Sequence, residues 1–272
     1  MKLSPKKSLG QNFLINAGIL EKIVSAAKLS LDDTVLEIGP GTGNLTKLLS
    51  EKAGHVIAIE KDHRLIENLK EKFKNSNVEI IEGDILKIDI VSISKAYGKV
   101  VGNLQYKIVA NIPYYITSHF LKTIFESASW RMVRPKLIVL TVQKEVAKRI
   151  TAKPPNMNLL ALSIQLYSEP KIIGYISRGS FRPIPNVDSA IIRLNPKSEK
   201  LNPKQKGTFF KLIKAGFSGK RKQLINNLSK NLSIGILKEN LLKRFDEVGL
   251  KNDIRAENLS LNQWLSLSEE LD

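Results

Sequence analysis

Thr34-Val-Leu-Glu-Ile-Gly39, followed by Pro40-Gly-Thr-Gly-Asn44, is the stretch that most strongly indicates the fold. Its first part is a short, β-branched apolar run of the kind that forms a strand buried on both faces of a parallel sheet. A helix is expected to follow, from about Leu45 to Lys52. A glycine-rich turn between a strand and a helix lets a ligand approach the backbone, and the helix N-terminus attracts an anionic group. This stretch therefore predicts an α/β fold with a ligand site at the turn.

The spacing of the glycines limits the kind of ligand. Glycines at 39, 41 and 43 give the pattern G-x-G-x-G, whereas the dinucleotide fingerprint requires a glycine at the position of Asn44. A cofactor with a pyrophosphate is therefore disfavoured. A ligand that carries a carboxylate and a ribose, such as S-adenosylmethionine, fits the turn better, although the turn alone does not identify it.

Two further predicted strands end on acidic residues. One runs from His55 to Glu60, and the other runs from Val78 to Asp84 after an intervening helix. Because the carboxyl ends of parallel strands meet at one edge of a sheet, Gly39, Glu60 and Asp84 are predicted to share the edge where ligands bind in open α/β folds. There Glu60 would bind ribose hydroxyl groups, and Asp84 would accept a hydrogen bond from an adenine amino group. For Glu60, the alternative is an exposed strand-end or helix-capping carboxylate.

Val109-Ala-Asn-Ile-Pro-Tyr-Tyr115 brings polar and aromatic groups to the same edge. The predicted strand 107–110 ends here because proline cannot donate to a strand ladder and biases the preceding residue toward extended geometry. The Asn111 side chain and the Ile112 carbonyl can accept hydrogen bonds from an amino group, and Tyr114 offers a stacking face. The stretch thus predicts a site for a flat molecule carrying –NH₂, although by itself it fits a strand end with a core tyrosine equally well.

Three more apolar runs are predicted to be strands: 136–142, 171–176 and 189–194. The last two are expected to lie side by side as an edge pair. The loop between them, 178–187, is stiffened by prolines and holds Phe181. This phenylalanine either fills the core or forms a second stacking face opposite Tyr114.

Basic residues dominate the charge of this 272-residue chain, whose formal net charge is +17. Residues 200–230 contain nine Lys or Arg and no Asp or Glu, and a second basic cluster, which includes Arg149, lies between residues 131 and 153. Basic surfaces of this kind attract polyphosphate backbones. Nucleic acid is therefore the predicted partner, in preference to an anionic membrane or to no partner at all.

The composition also excludes several classes of protein. The chain has no cysteine, which rules out disulfides and thiolate chemistry and fits a cytoplasmic location. Its three histidines show no metal-ligand spacing, so no metal site is predicted. The sequence has neither an apolar run long enough to span a bilayer nor an N-terminal signal peptide.

A change in composition at Asn195-Pro-Lys-Ser198 marks a predicted domain boundary. Residues 1–196 would form the α/β domain, and residues 197–272 would form a smaller helical domain. Glycines at 219, 235 and 249 separate its expected helices, which are 204–217, 220–230, 235–248 and 261–271.

Taken together, these features resemble the class I S-adenosylmethionine-dependent methyltransferases. More specifically, the chain resembles the small-subunit rRNA adenine N6,N6-dimethyltransferases nearly from end to end. The motifs that carry the resemblance are Gly10-Gln-Asn-Phe-Leu14, Glu37-Ile-Gly-Pro-Gly-Thr-Gly43, Ile59-Glu60, Gly83-Asp84, Asn111-Ile-Pro-Tyr114, Phe181-Arg-Pro-Ile-Pro-Asn-Val-Asp-Ser189 and Phe217-Ser-Gly-Lys-Arg-Lys222. The resemblance implies a Rossmann-like sheet with helices on both faces, plus a small all-helical C-terminal domain.

The resemblance also implies roles for individual residues. S-adenosyl-L-methionine, with S-adenosyl-L-homocysteine as product, would lie against Asn12, Leu14, Gly39, Gly41, Glu60, Asp84 and Asn111. The target adenine would be held and methylated by Asn111, Ile112, Tyr114 and Phe181. The predicted RNA-binding residues are Lys220, Arg221, Lys222 and Arg149. The substrate would be two adjacent adenines in the 3'-terminal hairpin loop of small-subunit rRNA, each methylated twice by a monomeric enzyme during biogenesis of the subunit.

The sequence differs from the family pattern in two places that are expected to face the substrate. Pro154-Pro155 and Leu159-Leu160 stand where the family commonly has Pro-Gly and Tyr-Gly. Ile112 replaces the more usual leucine, which matters little because the expected contact there is a backbone carbonyl.

Two other functions share this scaffold. One is the related large-subunit rRNA adenine methyltransferase that confers macrolide resistance, which is disfavoured by the complete Gly10–Leu14 motif and by Arg255-Ala-Glu257. The other is a non-catalytic RNA-binding assembly or transcription factor, against which the intact Glu60, Asp84 and Asn111 argue. A nicotinamide dehydrogenase is disfavoured by Asn44 and by the lack of a hydride-transfer dyad.

Overall fold

The computed structural model describes residues 5–96, 106–198, 201–231 and 238–269. Its strands are β1 (Phe13–Leu14), β2 (Thr34–Ile38), β3 (His55–Glu60), β4 (Val78–Glu82), β5 (Tyr106–Asn111), β6 (Leu137–Gln143), β7 (Ser168–Ile176), β8 (Phe181–Arg182) and β9 (Ser189–Pro196). Within these residues, seven strands form one sheet in the order β4-β3-β2-β5-β6-β9-β7, and β1 pairs separately with β8. β4, β3, β2, β5 and β6 run parallel, whereas β9 runs antiparallel to β6. The α/β fold and the adjacency of the last two strands are thus confirmed.

Helices connect the strands and make up most of the C-terminal region. They are α1 (Ala17–Ala27), α2 (Asn44–Ser50), α3 (His63–Lys72), α4 (Ile90–Ala96), α5 (Thr117–Glu126), α6 (Ala128–Met132), α7 (Lys144–Ile150), α8 (Leu159–Tyr167), α9 (Pro203–Gly216), α10 (Leu224–Asn231), α11 (Lys238–Glu247) and α12 (Leu261–Glu269). The four predicted C-terminal helices correspond to α9–α12; the ends of two of them, 235–237 and 270–271, lie outside the described residues.

The chain divides into two compact units. The first contains residues 1–147 and 169–196, and the second contains residues 148–168 and 197–272. The predicted domains placed residues 148–168 with the sheet, but these residues pack with the helical unit. Helix α8 of this segment packs against α12 of the helical unit.

The central strands of the first unit are buried on both faces, as their continuous apolar runs require. All five residues of β2 are buried, and so are Ile108, Val109 and Ala110 of β5. Helix α1 packs against this layer through Leu20 and Ile23. This burial fixes the positions of the strands. It therefore also fixes the positions of the residues that follow their carboxyl ends.

In the second unit, apolar side chains from several helices form a core that includes Leu162, Leu212, Leu228, Phe245 and Trp264. Helix α9 begins with a capping box, in which Asn202 and Gln205 exchange side-chain-to-backbone hydrogen bonds, followed by a proline in the first turn. The Asn227 side chain donates to the carbonyls of Gly216 and Gly219, which joins α10 to the end of α9.

Glu37 is a buried acidic residue in β2, a central strand of the sheet. It is 1% exposed, and its Oε2 has no hydrogen-bond partner among the described residues. Burial raises the pKa of Glu37 from 4.5 to about 8, and the nearby charge of Glu60 acts in the same direction. The folded protein therefore holds a protonated carboxyl here at neutral pH.

We expect Glu37→Gln to change how stability depends on pH. Because the pKa of Glu37 is higher in the folded than in the unfolded chain, folding takes up a proton between about pH 4.5 and pH 8. The contribution of Glu37 to the free energy of unfolding is therefore fully present below pH 4.5 and is lost as the pH rises to about 8. Relative to the glutamine variant, the loss should approach about 1.4 kcal/mol per pH unit. Denaturant titrations of both proteins at several pH values measure the difference, and parallel curves would contradict the protonated state.

Candidate cofactor and adenine site

A cavity lies at the carboxyl ends of the parallel strands, where the sequence predicts a ligand site. It is lined by the ends of β2, β3 and β5, by the residues that follow these strands and β4, and by the segment 9–13. Of the predicted site residues it brings together Asn12, Gly39, Gly41, Glu60, Asp84, Asn111, Ile112 and Tyr114.

The glycine turn forms the wall nearest β2. Gly39 and Gly41 have φ angles of +66° and +59°, which favour glycine. A Cβ atom on Gly41 would lie 2.8 Å from the Phe13 ring, so no side chain fits there without displacing the ring. Asn44, which replaces the third fingerprint glycine, starts α2 and donates through Nδ2 to the Leu14 carbonyl at 3.1 Å. The turn therefore closes against the segment 9–13 and keeps the backbone exposed to the cavity.

Glu60 lies at the end of β3 and is only 5% exposed. Its Oε2 accepts from the Gly41 N–H at 3.1 Å, and its Oε1 accepts from the Asp62 N–H at 2.8 Å. Burial raises the pKa of Glu60, while these backbone hydrogen bonds oppose that rise. Each oxygen keeps a second lone pair, so the carboxylate can still accept hydrogen bonds from a ligand's hydroxyl groups.

Asp84, just beyond β4, is held by two groups. Lys61 Nζ lies 2.9 Å from its Oδ2, and the Leu86 N–H donates to its Oδ1 at 3.1 Å. Partial burial raises the pKa of Asp84, but the Lys61 and Leu86 hydrogen bonds outweigh that effect and lower it overall. An ionised carboxylate thus faces the cavity and can accept a hydrogen bond from an adenine amino group.

Asn111 ends β5 and has both ends of its amide engaged. Its Nδ2 donates to the Asn12 carbonyl at 3.1 Å, and its Oδ1 accepts from the Thr141 hydroxyl. Asn12 itself donates through Nδ2 to the Gly10 carbonyl. The side chain that is predicted to receive the target amino group is therefore held from two sides.

Tyr114 stands beside this asparagine and is anchored through its hydroxyl. The Tyr114 Oη lies 2.5 Å from Oγ of Ser189, which is fully buried at the start of β9. Burial raises the pKa of Tyr114, so the phenol stays protonated at neutral pH. With its hydroxyl fixed, the ring can offer a stacking face in one orientation.

Two of the predicted site residues lie in the core instead. Leu14 is 4% exposed and Phe181 is fully buried; both belong to the apolar cluster under α1, and neither lines the cavity. They face each other across the β1–β8 pair, which binds the N-terminal motif to the proline-rich loop. The structure therefore does not bring Leu14 or Phe181 into the cavity with the other predicted site residues, and their expected roles toward the cofactor and the target adenine stay predictions.

Sequence reasoning missed four residues near these groups. Thr141 and Ser189 hold Asn111 and Tyr114, Lys61 pairs with Asp84, and Tyr115 lines the cavity while 58% of it remains exposed. A single hydroxyl in the apolar run 137–142 was the available signal for Thr141. The Ser189–Tyr114 and Lys61–Asp84 contacts join residues whose proximity no sequence spacing reveals.

The predicted RNA-binding residues all belong to the second unit. Arg149, Lys220, Arg221 and Lys222 lie there with exposed side chains. Pro154, Pro155 and Leu159, where the chain departs from the family pattern, are exposed in the same unit.

The described part of the chain lacks two kinds of feature. No helix there is long and apolar enough to cross a membrane. The same residues contain no group of three or more His, Cys, Asp or Glu that could hold a metal ion.

Comparisons with known proteins agree with this geometry. The family model described as "Ribosomal RNA adenine dimethylase" matches residues 2–272. Ribosomal RNA small subunit methyltransferase A of Dehalococcoides mccartyi is 43% identical over 267 residues, which cover 97% of this chain and 88% of that protein.

Solved structures give the same result. A dimethyladenosine transferase from Plasmodium falciparum superimposes with a TM-score of 0.76 at 31% identity, covering 94% of this chain and 95% of that one. The 23S rRNA methyltransferase ErmE superimposes with a TM-score of 0.75 at 26% identity, covering 96% and 100%. These neighbours confirm the class I methyltransferase fold.

Proposed function

Because this chain belongs to the ribosomal RNA adenine dimethylase family, we propose that it methylates N6 of two adjacent adenines in the 3'-terminal hairpin loop of small-subunit rRNA. S-adenosyl-L-methionine would be the methyl donor, and N6,N6-dimethyladenosine would be the product. The observation that carries the proposal is the position of Asn111, Ile112 and Tyr114 in the same cavity as the glycine turn, Glu60 and Asp84.

The residues present fit S-adenosylmethionine. Gly39 lines the cavity, and a Cβ at this position would meet no protein atom within 4 Å, so the glycine leaves open space beside the backbone. The buried Glu60 carboxylate keeps acceptor capacity for ribose hydroxyl groups. Asp84 supplies an ionised acceptor for the adenine amino group of the cofactor. When bound, S-adenosylmethionine supplies a methyl group on a sulfonium that needs no further activation.

The protein's task is to present the target nitrogen. The lone pair of adenine N6 is delocalised into the ring, which makes N6 a poor nucleophile. Hydrogen bonds from N6 to Asn111 Oδ1 and to the Ile112 carbonyl favour a tetrahedral nitrogen whose lone pair points away from both acceptors. Catalysis then rests on alignment for in-line displacement. No strong general base is needed, because the proton on N6 becomes acidic once the nitrogen is alkylated.

The adenine must leave its base stack to reach this cavity. Unstacking costs least in a single-stranded loop. The fixed ring of Tyr114 can replace part of the lost stacking, which is worth about 1–3 kcal/mol per base. A second methylation requires one of the two N6 hydrogen bonds to be given up.

The exposed basic residues of the helical unit are proposed to contact rRNA phosphates. Charge reversal at Lys220, Arg221 and Lys222 is expected to weaken RNA binding and to flatten its salt dependence, since each lost phosphate contact reduces the slope of log K against log salt by about 0.9. Filter binding at several salt concentrations measures the slope.

A matched control reverses three exposed lysines of the sheet unit, Lys52, Lys70 and Lys74, which changes the net charge equally. The control should retain a steeper slope than the Lys220–Lys222 variant. Equal slopes in the two variants would show that only total charge matters, and would exclude this patch as the RNA contact.

The methyltransferase of large-subunit rRNA remains the main alternative, because ErmE has nearly the same fold similarity. Sequence favours the small subunit: identity is 43% to the small-subunit enzyme and 26% to ErmE. An assay with labelled S-adenosylmethionine and unmethylated small and large ribosomal subunits tests the choice. We expect label in the small subunit. Label only in the large subunit would support the alternative, and no label with cofactor still bound would support a non-catalytic RNA-binding factor.

A further inference from the structure

Thr141 is a buried hydroxyl that the proposed mechanism does not use. It is the only Ser or Thr in β6, is fully buried and has apolar neighbours, Leu140 and Val142, on either side in the chain. In the pairing of β5 with β6 it stands directly opposite Asn111. A buried hydroxyl costs free energy unless it makes a hydrogen bond, and a valine would fill the same space without that cost.

The hydrogen-bond partner of this hydroxyl is Asn111 Oδ1, the atom that is proposed to accept a hydrogen bond from the target N6. Thr141 Oγ1–H donates to Oδ1 of Asn111. An amide oxygen has two lone pairs, so this bond occupies one and leaves the second for a hydrogen bond from the substrate. Thr141 thus holds the acceptor atom in place, and Asn111 provides that atom.

The orientation of the amide follows from its other end. Asn111 Nδ2 donates to the Asn12 carbonyl, which can only accept. A flipped amide would place two oxygens against each other, so the carbonyl keeps Oδ1 on the Thr141 side. Asn12 therefore selects the orientation of the amide, and Thr141 restrains the position of its oxygen.

We propose that Thr141 is a positioning residue for methyl transfer: its hydroxyl holds Asn111 Oδ1 where it accepts a hydrogen bond from the N6 amino group of the target adenine. The inference rests on the proposed function, because it assigns Thr141 a role through Asn111. Preorganised acceptors are effective because they need no rearrangement when the reaction occurs, and an Asn111 side chain that can rotate loses that advantage.

Four variants test the role in a cycle: Thr141→Val, Thr141→Ser, Asn111→Ala and the double variant Asn111→Ala with Thr141→Val. Valine keeps the shape and burial of Thr141 but removes the donor, whereas serine keeps the donor. For each protein, single-turnover methyl transfer to unmethylated small subunits is measured together with KM for the subunit, Kd for S-adenosylmethionine and Tm. The last two report whether the cavity and the fold are intact.

We expect Thr141→Val to lower the turnover rate about 10-fold, with little change in KM, cofactor Kd or Tm. Thr141→Ser should recover most of the rate. In the Asn111→Ala background, Thr141→Val should have no further effect, because the group on which Thr141 acts is absent.

Two results would overturn the inference: a wild-type rate for Thr141→Val, or the same loss in the presence and absence of Asn111. Both are distinguishable from failure of the proposed function, in which the wild-type protein itself would transfer no methyl group to the small subunit.

Discussion

Asn111→Ala is expected to lower turnover about 10²-fold or more, as removal of other preorganised polar groups does. The variant loses the oxygen that accepts from N6, so the nitrogen is no longer held in tetrahedral geometry. Cofactor binding should stay partly intact, because Glu60, Asp84 and the glycine turn remain in place. Single-turnover methyl transfer to unmethylated small subunits gives the rate, and equilibrium dialysis with labelled S-adenosylmethionine gives the affinity.

The control for this variant is Asn252→Ala, which removes an exposed asparagine of the helical unit. Its rate should equal that of the wild type. A wild-type rate for Asn111→Ala would refute the role of this residue, whereas complete loss of cofactor binding would show that it serves the cofactor more than the target adenine.

Glu60→Gln is expected to weaken S-adenosylmethionine binding about 10²-fold, since a hydrogen bond to a charged group is worth about 1.5–3 kcal/mol and several depend on this carboxylate. Both oxygens of Glu60 accept from backbone N–H groups, those of Gly41 and Asp62. A glutamine would turn its NH₂ group toward one of these donors. The glycine turn would then lose an anchor, and the ribose hydroxyl groups would lose their charged acceptor.

Glu82→Gln is the matched control for Glu60→Gln. Glu82 ends β4 and lies opposite Glu60 in the strand register, but it is exposed and does not line the cavity. Isothermal titration with S-adenosylmethionine should give wild-type affinity for this control. Equal affinities for the two variants would remove Glu60 from the cofactor site.

The edge of the sheet at which the site lies could be predicted from the sequence, because the carboxyl ends of parallel strands lie at the same edge. Gly39, Glu60, Asp84 and Asn111 were each placed by the end of an apolar run, and the structure brings all four to one cavity. Their roles toward cofactor and substrate stay predictions, and the two variants above test those of Asn111 and Glu60.

What the sequence could not predict depends on contacts between distant residues. Thr141 meets Asn111, and Ser189 meets Tyr114, through the order of β5, β6 and β9 in the sheet, which no local pattern reveals. The two-residue pair β1–β8 is too short to leave a periodic signal, yet it explains why Phe181 fills the core.

Residues 148–168 were predicted to belong to the α/β domain, again because the sequence does not show which distant residues they contact. The apolar pattern of α8 indicates that one face is buried, but not against which unit it packs. In the structure it lies with the helical unit, together with Lys220, Arg221 and Lys222. Arg149 thereby shares one unit with the other predicted RNA-binding residues.

The most direct test of the central claim is to map the product nucleosides by mass spectrometry after the protein and S-adenosylmethionine act on unmethylated small ribosomal subunits. We expect N6,N6-dimethyladenosine at two adjacent adenines in the 3'-terminal hairpin loop of the rRNA. Methylation at any other nucleotide of the small subunit, or no methylation by a protein that binds the cofactor, would contradict it.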